Sequence, residues 1–310
     1  MVEVPEAFAR GTVAGQGEPG AAWVARLPTL VDELLQCWGC RPDGPPMHGG
    51  VGLVVPVRDS GGAAAVIKVS FPHPGNVHEP DAFAAWDGRG AVRLHARSDP
   101  DFAMLLERAS TSTLREVVDQ DEVVRVAGLL NRRLAVPAPA GLPRLSDHAD
   151  GWAEELCQAA TDYALPPYVL DAAAATVQEL GRDQPDTLVH GDLHAGNILR
   201  AEREPWLAVD PKGHVGDPAF DGGLLLKTRA LALLEAADFR GAVHRVLDVF
   251  AEAAEVDRLR LQRWAQLHAV QASIWGRRHG FRIARSGAQR DWLTGVADRL
   301  ATLLVEPRRA

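Results

Sequence analysis

The sequence predicts an α+β fold with a small β-rich N-terminal domain and a larger α-helical C-terminal domain. The chain has 310 residues, of which 46% are hydrophobic, a length at which single cores begin to divide into domains. Its N-terminal third contains mostly apolar runs of strand length. Helical spacing begins near residue 110 and becomes almost continuous after residue 222. We therefore expect two domains, 1–108 and 109–310.

A β-hairpin is predicted for residues 53–71, because two apolar runs flank the turn sequence Asp-Ser-Gly-Gly at 59–62. The glycine-rich stretch MHGGVG at 47–52, which includes Gly50, predicts a turn just before the hairpin. The remaining predicted elements of this domain are a short helix at 76–90 and two strands at 91–98 and 101–109.

Helices are predicted for the C-terminal domain from the spacing of its apolar residues. Between residues 123 and 134 they recur at intervals of four, three and four, which makes one apolar helix face. Residues 137–151 are rich in Pro, Gly and polar residues and predict a loop. Residues 171–181 predict a helix that ends at a glycine.

The charge balance bears on the class of partner. With 33 basic and 41 acidic residues the formal charge is −8, which disfavours nucleic acid, since that affinity depends on Lys and Arg neutralising phosphates. An acidic chain attracts a cationic small molecule instead. The sequence gives no indication of the oligomeric state.

Neither an export signal nor a membrane segment is expected. The N-terminus lacks an apolar signal region, and no run approaches the roughly 18 apolar residues of a spanning helix. The three cysteines are an odd, low number that fits a cytoplasmic protein. Cys37 and Cys40 form a C-x-x-C pair, but partners for zinc are lacking, so we interpret them as ordinary thiols.

The stretch VHGDLHAGNIL at 189–199 places many polar residues between two apolar ends. Asp192 and Asn197 form a D-x-x-x-x-N pattern, and Asp210 follows at the end of the apolar segment WLAVD. We expect paired strands on either side of the loop, and a further strand that delivers Asp210. In phosphoryl transfer one carboxylate accepts the proton of the acceptor hydroxyl, while an amide and a second carboxylate bind Mg²⁺. The same spacing occurs in the catalytic loop of kinases.

Lys68 lies within the apolar run AAAVIKVSF, where a lone charge is costly unless it is paired. Glu79, at the start of the predicted helix, is the partner we expect, and the order fits the strand lysine and helix glutamate of kinases. Asp81 and Glu107 are competing partners in the sequence. The alternative is a lysine at a sheet edge that extends its amine to solvent.

Two further segments of the N-terminal domain are candidates for nucleotide contacts. The glycines around Gly50 do not form G-x-G-x-x-G, so they indicate a turn that could cover phosphates. The segment LLERA at 105–109 lies near the expected domain junction, so the backbone from Glu107 to Ala109 could pair with adenine. That expectation depends on position alone.

HGDLHAGNIL, followed by WLAVDPKGHVGDPAFDGG at 206–223, resembles the aminoglycoside phosphotransferase family. The segment MLLER at 104–108 and a late RW…AV…W pattern are most similar to its streptomycin 6-phosphotransferase and hydroxyurea phosphotransferase branch. This pattern comprises Arg263, Trp264, Ala269, Val270 and Trp275. The resemblance covers nearly the whole chain and implies a protein-kinase-like bilobal fold that uses ATP and Mg²⁺.

The resemblance also implies roles for individual residues. Asp192 would be the catalytic base, Asn197 and Asp210 the metal ligands, Lys68 the contact to the α- and β-phosphates, and His190 a support for the catalytic loop.

Three acidic or aromatic residues complete the predicted site. Asp217 and Asp221, in GDPAFD, would brace the loop in preference to contacting a cationic substrate, since carboxylates beside a site often support it. Trp275 is a candidate for the acceptor pocket, although a helical tryptophan belongs to the core more often.

Alternative functions remain open. A metallophosphoesterase could use Asp192 and His194 as D-x-H with a later Gly-Asp, but that hypothesis explains neither Lys68 nor Asn197. A non-catalytic kinase-like binding protein would usually have lost the base or a metal ligand, and neither is missing. The acceptor we expect is streptomycin at its 6-hydroxyl, and the alternative within the same fold is another small hydroxylated metabolite.

Overall fold

The computed structural model describes residues 2–163, 165–281 and 283–305. Its contacts divide the chain into two units. The first unit comprises residues up to Thr111 together with Arg200–Lys212, and the second comprises Ser112–Leu199 and the residues from Gly213 onward. A short segment late in the sequence is thus part of the first unit. The domain limits of 1–108 and 109–310 stay a prediction.

The β-strands are β1 Arg41–Pro42, β2 Met47–His48, β3 Gly52–Arg58, β4 Ala64–Ser70, β5 Leu94–Ser98, β6 Ala103–Glu107, β7 Val136–Pro137, β8 Thr187–Val189, β9 Ile198–Arg200, β10 Trp206–Ala208 and β11 His214–Val215. The α-helices are α1 Glu6–Cys37, α2 Glu79–Trp86, α3 Gln120–Leu134, α4 Ala149–Asp162, α5 Pro167–Thr176, α6 Ala219–Leu233, α7 Phe239–Ala254, α8 Arg258–His279 and α9 Gly287–Val305.

The first unit is built on an antiparallel sheet with strand order β1-β3-β4-β6-β5, and β2 also pairs with β3. The predicted hairpin is present as β3 and β4, with Val54 opposite Lys68. Successive side chains of a strand face opposite sides of the sheet. Alternate residues of these strands therefore form a core, which includes Val55, Ile67 and Val69.

Helix α1 covers the sheet and was not expected, because the N-terminal third was predicted to be mostly strands. Leu27, Leu30 and Val31 of this helix are buried in the same core as β3 and β4. The helix is interrupted at Gly17, where φ is 63° and ψ is −140°. Glycines and prolines lower helix propensity, so the local sequence does not indicate a helix here. Packing against the sheet overrides that local preference.

The second unit is mainly helical. Helix α8 packs against α5, α6 and α9, and α3 packs against α7. Trp264 of α8 is fully buried, and its ring packs edge-on against Phe220 and Trp152. None of the helices within the described residues is both long and apolar enough to span a membrane.

The strands around the polar loop pair differently from our expectation. Strand β8, which precedes the loop, pairs antiparallel with β7 and β11. The prediction that the two strands flanking the loop pair with each other was therefore wrong. Each flanking strand is only three residues long, which is too short for the sequence to specify a partner.

Candidate active site

Lys68 forms the centre of an ion-pair group in the first unit. Its Nζ lies 2.5 Å from Oε1 of Glu79 and 2.5 Å from Oδ1 of Asp210. The competing carboxylates have other partners: Asp81 binds Arg97 and His78, and Glu107 binds Arg203. The geometry therefore has the Lys68–Glu79 pair that the sequence predicted and adds Asp210 to it.

Burial and the neighbouring charges determine the charge state of Lys68. Desolvation alone lowers the pKa of Lys68, but the charges of Glu79 and Asp210 outweigh it and raise that pKa above its usual value. Lys68 is therefore a permanent cation. The Glu79 side chain is only 2% exposed, and removal of one partner from a buried pair leaves an uncompensated charge.

Asp210 has an uncommon backbone conformation. It follows β10 with φ of 61°, in the left-handed region, which Asp and Asn tolerate better than most residues. Its Oδ2 lies 3.7 Å from Nζ of Lys212, while its Oδ1 binds Lys68. The carboxylate is thus held between two cations and remains 40% exposed.

The predicted nucleotide contacts of the first unit differ in their surroundings. Gly50 lies in an exposed turn where an added Cβ would meet nothing within 4 Å, whereas at Gly52 it would lie 3.1 Å from Oγ of Ser70. The Glu107 carboxylate accepts hydrogen bonds from Arg203 and from the Arg93 backbone. Its own backbone N–H donates to the Arg93 carbonyl. Ala109 follows the end of β6 and is half-buried. Nucleotide contacts by Gly50, Glu107 and Ala109 stay predictions.

Asp192 and Asn197 lie together in the polar loop between β8 and β9 of the second unit. Nδ2 of Asn197 donates to the Asp192 carbonyl at 3.0 Å and to Asp192 Oδ2 at 3.4 Å. The backbone N–H of Asp192 donates to Nδ1 of the buried His190 at 3.2 Å. The loop turns at Gly191, whose φ is 78°. These bonds fix the separation between the predicted base and the predicted metal-binding amide.

Asp221 braces this loop from α6. It is fully buried and accepts backbone hydrogen bonds from His190 at 3.0 Å, Gly191 at 2.9 Å and Leu193 at 3.5 Å. Burial raises its pKa to about 7. The three N–H donors oppose that rise, and the charge of Asp192 adds to it.

Asp217 is also bound within the protein. Its Oδ2 accepts hydrogen bonds from Nε1 of Trp264 at 2.7 Å and from Arg260, and its Oδ1 accepts from the Ala219 backbone at 3.0 Å. The residue is 4% exposed. This geometry supports the bracing role that we favoured for Asp217 and Asp221 over a direct contact with substrate.

The two tryptophans of α8 have different environments. Trp264 belongs to the core, whereas Trp275 is 56% exposed. Trp275 lines a cavity of about 770 Å³ between α4, α6, α8 and α9. Three charged residues that the sequence analysis did not select also line it, namely Arg115, Glu155 and Lys227. Lys227 could have been found from the sequence. It lies in the apolar run GGLLLKTRALALL, where a lone charge is costly unless it is paired, as for Lys68.

Known proteins share both the motifs and the fold. Residues 37–280 match the family model for aminoglycoside/hydroxyurea antibiotic resistance kinases. The chain is 39% identical over 279 residues to the streptomycin 6-kinase of Streptomyces glaucescens, which covers 89% of this chain and 91% of that relative. It is 37% identical over 282 residues to the hydroxyurea phosphotransferase of Kitasatospora aureofaciens, which covers 89% and 80% respectively.

A solved structure, the macrolide 2′-phosphotransferase of Brachybacterium faecium, matches with a TM-score of 0.53 at 15% identity. The match covers 92% of this chain and 100% of that one, and it confirms the protein-kinase-like α+β fold. The comparisons define an O-phosphotransferase. The chain belongs to the aminoglycoside/hydroxyurea antibiotic resistance kinase family.

Proposed function

We propose that this protein transfers the γ-phosphoryl group of ATP to a hydroxyl of an aminoglycoside, namely the 6-hydroxyl of streptomycin. The observation that carries the proposal is the catalytic loop, in which Asn197 holds Asp192 and the Asp221 carboxylate holds the loop backbone. A carboxylate fixed in this way accepts the proton of the acceptor hydroxyl as the hydroxyl oxygen attacks phosphorus.

ATP and Mg²⁺ are the cofactors of this proposal. Asn197 and Asp210 would hold the metal, and both offer the oxygen ligands that Mg²⁺ prefers. The amide nitrogen of Asn197 is engaged by Asp192, which leaves its amide oxygen as the ligand atom. When bound, the metal neutralises the charge that develops on the phosphates. Lys68, a permanent cation, would contact the α- and β-phosphates.

The acceptor assignment is supported by the two relatives described as streptomycin kinases of the 6-position, each 39% identical to this chain. The formal charge of −8 favours a cationic acceptor. A relative described as a hydroxyurea phosphotransferase shows that the family does not have one acceptor alone, so a kinase of another hydroxylated metabolite is the second candidate. Cytoplasmic location and the lack of a nucleic-acid partner stay predictions.

The test is direct phosphate transfer. Purified protein is incubated with Mg-ATP and a panel of aminoglycosides and hydroxylated metabolites, and the products are examined by mass spectrometry. We expect one added phosphate on streptomycin, at the 6-hydroxyl by fragmentation, and none with the Asp192→Asn variant. Phosphate on a metabolite of the panel alone would select the second candidate. Hydrolysis of phosphate esters without ATP would favour the metallophosphoesterase.

A further inference from the structure

The cavity beside Trp275 has three charged residues on its wall. Among its described lining residues, Glu155 is the only acid, and Arg115 and Lys227 are the bases. The rest of the wall is largely apolar and includes Leu231, Leu293 and similar side chains. A ligand in this cavity therefore meets its main electrostatic contacts at these three residues.

Arg115 and Lys227 lie on the side of the catalytic loop. A Cβ added to Gly196, between Asp192 and Asn197, would lie 2.7 Å from Cζ of Arg115, so the guanidinium packs directly against that glycine. The Asp192 charge raises the pKa of Lys227, although burial outweighs it and lowers that pKa overall. Both cations thus border the loop that carries the proposed base.

Neither cation forms a direct ion pair among the described residues, although the Asp192 charge acts on Lys227. Within residues 2–163, 165–281 and 283–305, no hydrogen bond or ion pair to the Lys227 amine or the Arg115 guanidinium is present. The Lys227 side chain is half-buried, so its amine is partly removed from water. An anionic or oxygen-rich group on the ligand would supply the missing partner.

Glu155 lies on α4 and contacts the last turn of α8. Its Oε1 is 3.7 Å from Nη1 of Arg278, in the last turn of that helix. Lys227 lies four residues after Gly223, on the same face of α6, and Gly223 packs against His268. The acid and the two bases reach the cavity from different elements, Glu155 from α4, Lys227 from α6 and Arg115 from the segment before α3.

We propose that the acceptor lies in this cavity, with one cationic group at Glu155 and its reacting hydroxyl beside Arg115 and Lys227. These two cations hold the oxygens of the phosphoryl group during transfer. The acceptor oxygen forms a bond to the γ-phosphorus of ATP, and the bond from that phosphorus to the β–γ bridging oxygen breaks. ADP leaves with the bonding electron pair, and the hydroxyl proton passes to Asp192. The inference rests on the proposed phosphotransferase function.

Steady-state kinetics with streptomycin and Mg-ATP distinguish the role of Glu155 from the roles of Arg115 and Lys227. Glu155→Gln should raise the KM for streptomycin by about tenfold with kcat nearly unchanged, because this contact is equal in ground and transition states. Lys227→Met and Arg115→Gln should each lower kcat by about a hundredfold, because their partner gains charge in the transition state. Lys227→Arg and Arg115→Lys should recover part of that loss. Glu235→Gln and Arg125→Gln, which neutralise exposed charges outside the cavity lining, are the matched controls.

The outcomes are distinguishable. If wild-type protein phosphorylates streptomycin and the three cavity variants behave like the controls, the inference is overturned and the proposed function stands. A reversed pattern, with kcat lost in Glu155→Gln and only KM changed in the cation variants, also overturns it. If the wild-type protein transfers phosphate to no aminoglycoside of the panel, both the function and the inference fall. An unchanged KM for ATP and a normal melting temperature establish that the variants are folded.

Discussion

Two half-buried lysines of this chain, one in each unit, have opposite surroundings. Lys68 lies on a strand between two carboxylates at 2.5 Å, whereas Lys227 lies on a helix where the Asp192 charge acts on it without an ion pair among the described residues. The same apolar sequence context surrounds both. Loss of Lys68 would leave carboxylate charge uncompensated, whereas the amine of Lys227 is available to a ligand.

The largest effect is expected when Lys68, the paired lysine, is replaced. Lys68→Met leaves the Glu79 carboxylate buried without its cation, so we expect a loss of about 3–5 kcal/mol in the free energy of unfolding. Activity should disappear as well. Denaturant unfolding of Lys68→Met beside the double variant Lys68→Met/Glu79→Gln measures this. The double variant should recover stability but not activity, and equal stability of the two would contradict the ion-pair account.

The second prediction concerns the charge that faces the unpaired lysine. Asp192→Asn should lower kcat by at least about 10², because general base catalysis contributes 10²–10⁴. Nucleotide affinity should change little, since the proposed role of Asp192 is to act on the acceptor hydroxyl. Single-turnover phosphate transfer and nucleotide titration measure the two effects. Near-normal turnover in this variant would exclude Asp192 as the base.

The third prediction tests the buried acid that holds the loop. The Asp221 carboxyl has a folded pKa of about 7 and an ordinary value of 3.8, so the unfolded chain releases this proton first. Its contribution to stability is therefore complete below about pH 4 and is lost as pH rises to 7, with a slope of up to about 1.4 kcal/mol per pH unit. The Asp221→Asn variant lacks this proton, so its difference from the wild type in unfolding experiments at pH 5, 6 and 7 isolates the slope. A difference that is independent of pH would contradict the raised pKa.

The smallest effect on stability is expected when Lys227, the unpaired lysine, is replaced. Lys227→Met takes away a poorly hydrated charge and keeps the length of the side chain, so stability should change by less than about 1 kcal/mol, toward stabilisation. Thermal unfolding without ligand measures the change. A destabilisation as large as that of Lys68→Met would remove the contrast between the two lysines.

Sequence reasoning identified the groups whose chemistry is local. The pairing of Lys68 with Glu79, the hairpin that carries Lys68 and the turn that joins Asp192 to Asn197 all follow from short spacings and simple costs of burial. The bracing contacts of Asp217 were suggested by its neighbours, but its bond to Trp264 needed the tertiary structure.

Features that depend on packing between distant segments were not predictable. Helix α1 forms although glycines and prolines lie within it, because its apolar face is buried against the sheet. The partners of β8 are two-residue strands with no pattern of their own. Glu155 lines the cavity because of the tertiary structure, in which Trp152 of the same helix packs against Phe220 and Trp264.

The left-handed backbone at Asp210 restricts which substitutions accumulate at this position when a copy of the gene is no longer under selection. Most replacements at this position combine loss of the carboxylate with a strained backbone, so they damage the fold as well as the chemistry. Asn and Gly are accepted by this conformation, and each lies a single base change from an aspartate codon. Folded but inactive descendants should therefore carry Asn or Gly at position 210 more often than any other residue.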